Sequence, residues 1–411
     1  MTDNNELLAA VGHEFQSAAL TYQERDVALY ALAVGAAANP LDTSELQYVY
    51  ELNQDGFRAL PTFAVTYPLQ ALEQIGSIPG LKLNLMEVLH GEHHLELKRP
   101  LPTSGTINNQ AHISAIYDKG SGALLIIEIN SYDAQGQHLA LNRAGLFVRG
   151  RGSFGGDRGP AAPSGPPARP ADAVVIQATT PDQALLYRLA SGDRNPLHAD
   201  GRFAALLGFE RPILHGLCTY GFAGRAVLET FAENDPARLK SISARFSQHV
   251  FPGETLSTEL WHTGDDQVQF QTSVLEREAL VLTHGRATLN APAAAGESAE
   301  TAVPRSRAIF AEINERIAAH PEWLEQVGAV FQFEIEGSEG GSYIVDLRHS
   351  PGAARPGHDL EADCHMTMAY EDFRAMLKGE LKPEMAFLTG KLQVSGNLLL
   401  ATKLGPLFAR R

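Results

Sequence analysis

The run Ser191-Gly192-Asp193-Arg194-Asn195-Pro196-Leu197-His198 puts a carboxylate and an imidazole on one short turn. Gly192 closes an apolar-periodic segment, and Asn195-Pro196 favours an extended turn that can bring Asp193 and His198 back towards each other. Such a pair can share and orient a water, which is a general acid/base arrangement. The competing reading is an Asp193 that only satisfies turn amides beside a packed or surface His198. Downstream, Pro212-Ile213-Leu214-His215-Gly216 leads into a second apolar segment. Free amides in a first helical turn favour an acceptor carrying negative charge, and a glycine lets a carbonyl approach closely enough for oxyanion stabilisation. Gly216 would equally serve as a packing residue under a sheet.

These side chains need helices and strands to hold them. Thr180 is expected as an N-cap with Pro181 at the first helical position and Asp182 at the positive end. A second helix is expected over about Leu214–Phe231. Strand patterns follow at Ile242–Val250, Thr255–His262, Val268–Leu275 and Leu280–Leu289. The same order occurs earlier in the chain. A helix including Arg25–Val34 precedes strand patterns at His94–Lys98, Thr106–Tyr117, Ala123–Tyr132 and His138–Val148. Residues repeat as well: Tyr30-Ala31-Leu32-Ala33-Val34-Gly35 before Asn39-Pro40-Leu41-Asp42 matches Tyr187-Arg188-Leu189-Ala190-Ser191-Gly192 before Asn195-Pro196-Leu197-His198. Only alanines separate Gly35 from Asn39, so the sequence implies two similar folds, one of them armed; chance similarity of short helix-plus-turn segments is the competing reading.

Two stretches divide the chain. Half of the residues from Arg151 to Pro170 are Gly or Pro, and Ala291–Pro304 is rich in Ala, Pro, Gly and Ser. Neither can bury enough surface to offset its ordering entropy, so both read as linkers. The expected pieces are residues 1–150, 171–290 and 305–411. The third opens with an amphipathic helix, Arg305–Ala319, followed by strands at Val330–Ile335, Tyr343–Leu347, Asp359–Met368 and around Leu392–Val394. Phe331, Phe333, Ile335, Ile344, Leu347, Met366, Met368, Phe387, Leu398 and Leu399 are its expected core or tunnel residues, a small α+β domain.

Composition narrows the classes. With 33 Lys plus Arg against 48 Asp plus Glu, the net charge is −15, which argues against nonspecific nucleic-acid binding. Cys218 and Cys364 cannot build a disulfide framework or a four-thiolate zinc site. The longest apolar stretch, Ala28–Ala38, is about half of the ~20 residues that span a bilayer. No signal-peptide pattern opens the sequence, and its last residues are not a Ser-Lys-Leu type peroxisomal address. A soluble cytoplasmic protein is expected. Gly150-Arg151-Gly152-Ser153-Phe154-Gly155 matches a dinucleotide fingerprint, but a Pro-rich stretch stands where its helix should begin. His90, His93 and His94 lack the ligand spacing of a zinc site, so no metal is expected.

Tyr187–Ala204 with its Gly192-Asp193-x-Asn195-Pro196-x-His198 resembles the hydratase 2 motif of (R)-specific enoyl-CoA hydratases, the MaoC-like family. Pro212–Gly216 and Phe251–Leu256 match too, and the resemblance reaches the first piece through Ala38-Asn39-Pro40, His90-Gly91-Glu92 and Tyr117–Gly122. It covers roughly residues 10–290. Phe387–Asn397 resembles the sterol carrier protein 2 domain. The resemblance implies a double hot-dog fold, each half a long helix wrapped by an antiparallel sheet, with a first half that gave up catalysis for acyl-chain room. It implies that Asp193 and His198 activate water, that Asn195 orients the water or the substrate, and that the Gly216 amide stabilises the thioester oxygen. His90, Gly91, Lys119, Arg194, Pro196, Leu197 and Phe246 would bind the acyl-CoA. No cofactor is implied, since the coenzyme A thioester is substrate; a fatty acyl or sterol-like lipid would occupy the third domain, and the chain would be a homodimer. A hot-dog thioesterase and a noncatalytic acyl-CoA or lipid carrier are the alternatives.

Overall fold

Val268, Phe270, Thr272 and Val274 turn inward at every second residue of one strand, and this two-residue period builds most of the chain's sheet. The computed structural model describes residues 7–39, 43–53, 56–78, 81, 83–161, 163–264, 266–291, 305–337, 340–357, 362–378, 381–397, 400 and 403. It divides into two compact units, Met1–Pro292 and Ala293–Arg411.

In the first unit the strands are β1 (Ala18–Tyr22), β2 (Val88–Leu97), β3 (Gly105–Asp118), β4 (Gly122–Tyr132), β5 (His138–Arg149), β6 (Ala173–Ala178), β7 (Leu239–Phe246), β8 (Thr255–Gly264), β9 (Gln267–Val274) and β10 (Ala279–Leu289). They form one ten-stranded sheet in the order β1-β3-β4-β5-β2-β7-β10-β9-β8-β6. The order is a mirrored repeat about the β2–β7 pair, as the duplicated sequence pattern requires. That pair is antiparallel, with Glu92 opposite Arg245 and Glu96 opposite Ser241. The edge strands β1 and β6 escaped the sequence reading, because each is a short apolar run beside a stronger helix or linker signal.

Three helices of the unit are α1 (Glu24–Ala33), α2 (Gln183–Ser191) and α3 (Gly216–Phe231). α2 starts two residues later than expected: Asp182 is the N-cap, and the Thr180 hydroxyl donates to the Asp182 carboxylate at 2.6 Å instead of capping. α3 is buried from Cys218 through Leu228, so its apolar residues surround the helix rather than lining one stripe. In the first half a shorter helical segment, Pro61–Thr66, takes the equivalent place and packs against α3. One core cluster, with Tyr30, Phe63, Tyr187, Tyr220 and Phe222, runs through both halves.

A buried ion pair crosses this core. Arg225 in mid-α3 donates to Glu45 through Nε at 2.7 Å and Nη2 at 2.6 Å, and through Nη1 to the Val34 carbonyl at 3.0 Å. Glu45 also accepts the Ala37 amide at 2.8 Å. The pair fastens the turn after α1 to α3.

Among the described residues of the Gly/Pro-rich segment after β5 there is no helix or strand, and none of them forms a helix after Gly150–Gly155. It is pinned all the same. The Asp118 carboxylate accepts the Ser153 and Gly155 amides at 2.8 Å each, and Arg286 donates to the Ser164 carbonyl at 3.2 Å. Residues 292–304 of the second expected linker lie outside the described residues.

The second unit has its own five-stranded sheet, from β11 (Val330–Glu336), β12 (Gly341–Asp346), β13 (Ala353–Pro356), β14 (Cys364–Ala369) and β15 (Leu392–Gly396), ordered β13-β12-β11-β14-β15. The helices α4 (Arg305–Ala319) and α5 (Tyr370–Leu377) accompany it. Phe331, Phe333, Ile335, Ile344, Leu347, Met366 and Met368 are buried as expected. Phe387 is not: it is 43% exposed, beside an exposed Leu388. Leu398 and Leu399 lie outside the described residues.

Candidate active site

Gly192 takes the left-handed conformation (φ 78°) that ends α2, and the chain then turns back on itself. The Asp193 carboxylate accepts the Asn195 amide at 2.9 Å. The Asn195 side chain in turn accepts the Leu197 amide at 3.1 Å, capping the short turn Pro196–His198. This delivers His198 to a buried position, where Nδ1 bonds the Ile213 carbonyl at 2.8 Å. A carbonyl can only accept, so Nδ1 carries the proton and Nε2 is the free basic atom of the neutral ring. Burial lowers the His198 pKa, against opposing pulls from the Ile213 carbonyl and Asp193.

His215 completes the cluster. Sequence reasoning quoted it within a motif but gave it no role, because only folding brings residues 193, 198 and 215 together. Its ring stacks on His198 (centroids 3.7 Å apart, planes 25° apart), and its Nε2 lies 3.8 Å from Asp193 Oδ2. Both of its ring nitrogens are buried without a hydrogen-bond partner among the described residues. Burial, then the neighbouring His198 and Arg188, push its pKa down to about 2, so it stays neutral. Asp193, His198 and His215 each offer a polar atom, all within 4.8 Å of one another. Three such atoms could ligate a metal, but stacked rings direct their in-plane lone pairs alongside each other rather than to one point. The trio is suited to holding a water.

Gly216 is the first residue of α3, so its amide has no intrahelical acceptor. A side chain there would run into the Phe246 ring, 2.9 Å from the position of a Cβ. Phe246 ends β7 and meets His90 edge to face at 5.1 Å. Gly91 sits in the β-bulge of β2 between His90 and Glu92. His90, His93 and Asn142 form a chain: Asn142 donates to the Ala64 carbonyl at 3.1 Å, so its oxygen accepts from His93 Nε2 at 2.9 Å. His93 Nδ1 must then accept from His90 Nε2 at 3.2 Å. Burial pushes His90 down to about 4 and His93 to about 3. His90 therefore meets Phe246 through its ring, while its Nε2–H is committed to His93.

The other expected ligand-binding residues are less convergent. Leu197 is half-buried in the turn, whereas Arg194, Asn195 and Pro196 are exposed. The Lys119 ammonium bonds the Arg158 carbonyl and lies 5.3 Å from the Tyr117 ring centre, which ties it to the strap after β5 rather than to the His198 cluster. In the first half, Asn39 is described, but Pro40, Leu41 and Asp42 lie outside the described residues.

Residues 20–150 match the MFE-2 hydratase 2 N-terminal domain, 163–284 the MaoC like domain, and 310–409 the SCP-2 sterol transfer family. A probable enoyl-CoA hydratase 2 of Dictyostelium discoideum is 43% identical over 68% of this chain and 95% of its own length. The chain belongs to the hydratase 2 family. Another member, the peroxisomal multifunctional enzyme type 2 of Mus musculus, is 40% identical over 97% of the chain, which spans only 55% of that enzyme. Among solved structures, a MaoC-like dehydratase from Phytophthora capsici superposes with a TM-score of 0.62 at 35% identity, covering 70% of this chain and 99% of its own. The full-length peroxisomal multifunctional enzyme type 2 of Drosophila melanogaster gives 0.58 at 39% identity, over 67% and 48%. The fold of this hydratase 2 member is thus the expected double hot-dog with a C-terminal sterol carrier-like α+β domain. No helix among the described residues is long and apolar enough to cross a membrane.

Proposed function

We propose that the chain adds water to trans-2-enoyl-CoA and yields (3R)-3-hydroxyacyl-CoA. The observation that carries this is the cluster of Asp193, His198 and His215, each with a polar atom within 4.8 Å of the others, next to the amide that begins α3. Water held between Asp193 and His198 bonds through oxygen to C3, and His198 Nε2 takes its proton. The Gly216 amide stabilises the negative charge that develops on the thioester oxygen. The proton returns through the pair to C2, which closes the addition with no cofactor. Asn195 keeps Asp193 and the turn in place.

Loss of the enoyl absorbance, with chiral analysis of the product, tests the reaction. Release of free thiol instead would favour the thioesterase, and neither signal would favour the carrier. His198 must be neutral to accept a proton, and its pKa lies below the ordinary 6.5. Activity should therefore rise with pH below 6.5 and be level on this limb above it. An acidic limb centred above 6.5 would contradict His198 as the base.

The second unit, with its separate core, is proposed to bind a fatty acyl or sterol-like lipid. Residues 305–411 alone should fold and take up a fluorescent fatty acyl probe, while residues 1–290 keep hydrating short enoyl-CoAs. A folded fragment that binds no acyl-CoA, fatty acid or sterol would end the lipid assignment and leave the hydratase standing. A homodimer is supported by Val174 and Ile176, 53% and 63% exposed on the edge strand β6, where bare apolar edges call for cover. Sedimentation equilibrium showing a monomer would remove that reading. The proposed location is the cytoplasm, although the Mus musculus relative is named peroxisomal; a fluorescent fusion imported into peroxisomes would overturn it.

A further inference from the structure

The mirrored repeat leaves a second cleft that hydration does not use. In the armed half the His198 cluster lies where the N-cap His215 (φ −61°, ψ 134°) starts α3, near where Phe246 of β7 meets His90 of β2. The other half starts its helix Pro61–Thr66 from Leu60, an N-cap with nearly the same backbone angles (φ −60°, ψ 130°). Because β2 and β7 are antiparallel, their opposite ends, at Leu97 and Leu239, lie beside that second helix start. A cavity of about 600 Å³ opens there, a size suited to a cofactor-like ligand.

Its lining combines apolar Phe57, Leu97 and Leu239 with four cations, Arg58, Lys98, Arg99 and Lys240, against one carboxylate, Glu96. This local excess of positive charge stands out in a chain of net charge −15. Glu96 holds Lys98 at 2.7 Å and Asp235 holds Arg58 at 3.3 Å. Arg99 donates to the Gln137 amide oxygen, so neither it nor Lys240 has an ion-pair partner among the described residues. Pro61 stands where the armed half has Gly216, and proline has no N–H to donate to an oxyanion. The second cleft has charge and apolar walls but no acid/base pair.

We propose that this cleft binds an organic polyphosphate with a ring-bearing body, of the kind carried by coenzyme A, and does not convert it. Several cations match a multiply charged anion, and the planar guanidinium groups suit phosphate oxygens. The choice of coenzyme A rests on the hydratase reading, whereas the cleft and its charge do not.

Calorimetric titration of the full chain with coenzyme A tests the site, with adenosine 3′,5′-bisphosphate and inorganic phosphate as separate arms. Coenzyme A should bind with two equivalents per chain, of which only one depends on Arg99 and Lys240. The double variant R99M/K240M should weaken that second site by roughly tenfold, with hydration kept within about twofold. Adenosine 3′,5′-bisphosphate should bind there too. A single equivalent, a second one that the double variant leaves unchanged, or inorganic phosphate binding as tightly as coenzyme A would each overturn the proposal. Retention of the cation-dependent site in a chain that hydrates no enoyl-CoA would overturn the hydratase reading and support this one.

Discussion

Turnover of enoyl-CoA falls by about 10²–10⁴ when Asp193 becomes Asn or His198 becomes Gln, the span expected for losing one general acid/base group. That is roughly 3–5 kcal/mol of barrier. The asparagine keeps an oxygen for the Asn195 amide but not the charge that orients water. The glutamine can still donate to the Ile213 carbonyl, which now receives His198 Nδ1 at 2.8 Å, but it offers no basic nitrogen. Both variants should therefore fold, as circular dichroism would verify. Steady-state hydration at saturating substrate reads the effect, and near-normal turnover in either variant would remove the mechanism.

Breaking the Arg225–Glu45 pair from one side should cost about 3–5 kcal/mol, because it leaves the other charge buried without its partner. The two side chains are only 8% and 11% exposed, so water cannot compensate. Typical domains have about 5–15 kcal/mol in hand, which makes Glu45→Gln or Arg225→Met a large fraction of the whole. Replacing both with methionine removes both desolvation penalties and should be far milder than either single change. Urea unfolding followed by fluorescence checks this. The separate core of the second unit should give its own transition, and only the other one should move. Single variants unfolding at the parent's midpoint would show that the pair carries no stability.

Local pattern explains what the sequence made legible. Strands β3, β4 and β9 alternate over eight or more residues, and the turn Asp193–His198 is short enough for its chemistry to be read in line. Longer-range relations were not readable. His215 joins the site only because α3 and the turn fold together, 22 positions apart along the chain. The Glu45–Arg225 pair spans far more; its one local sign is an arginine inside an otherwise apolar helix. Lys119 matched a motif, yet the linker carbonyl it meets follows from how a stretch without periodicity lies across the sheet. Phe387 looked like a core residue by type, but a six-residue helix, Pro383–Leu388, turns it outward.

The shared sheet bears on how the two halves can change over time. β2 and β7 are inner strands whose ladder partners lie on opposite sides of the duplication. A half that carries no part of the Asp193–His198–His215 cluster is still obliged to cover the backbone edge of its neighbour, since a bare β7 would present unpaired amides and carbonyls to any passing strand. Drift in the first half is thus unequal. Loop positions are free to vary, whereas the register of β2 against β7 is held fixed by the stability of the half that carries His198. Such a duplicate cannot be discarded without baring the inner edge of its partner.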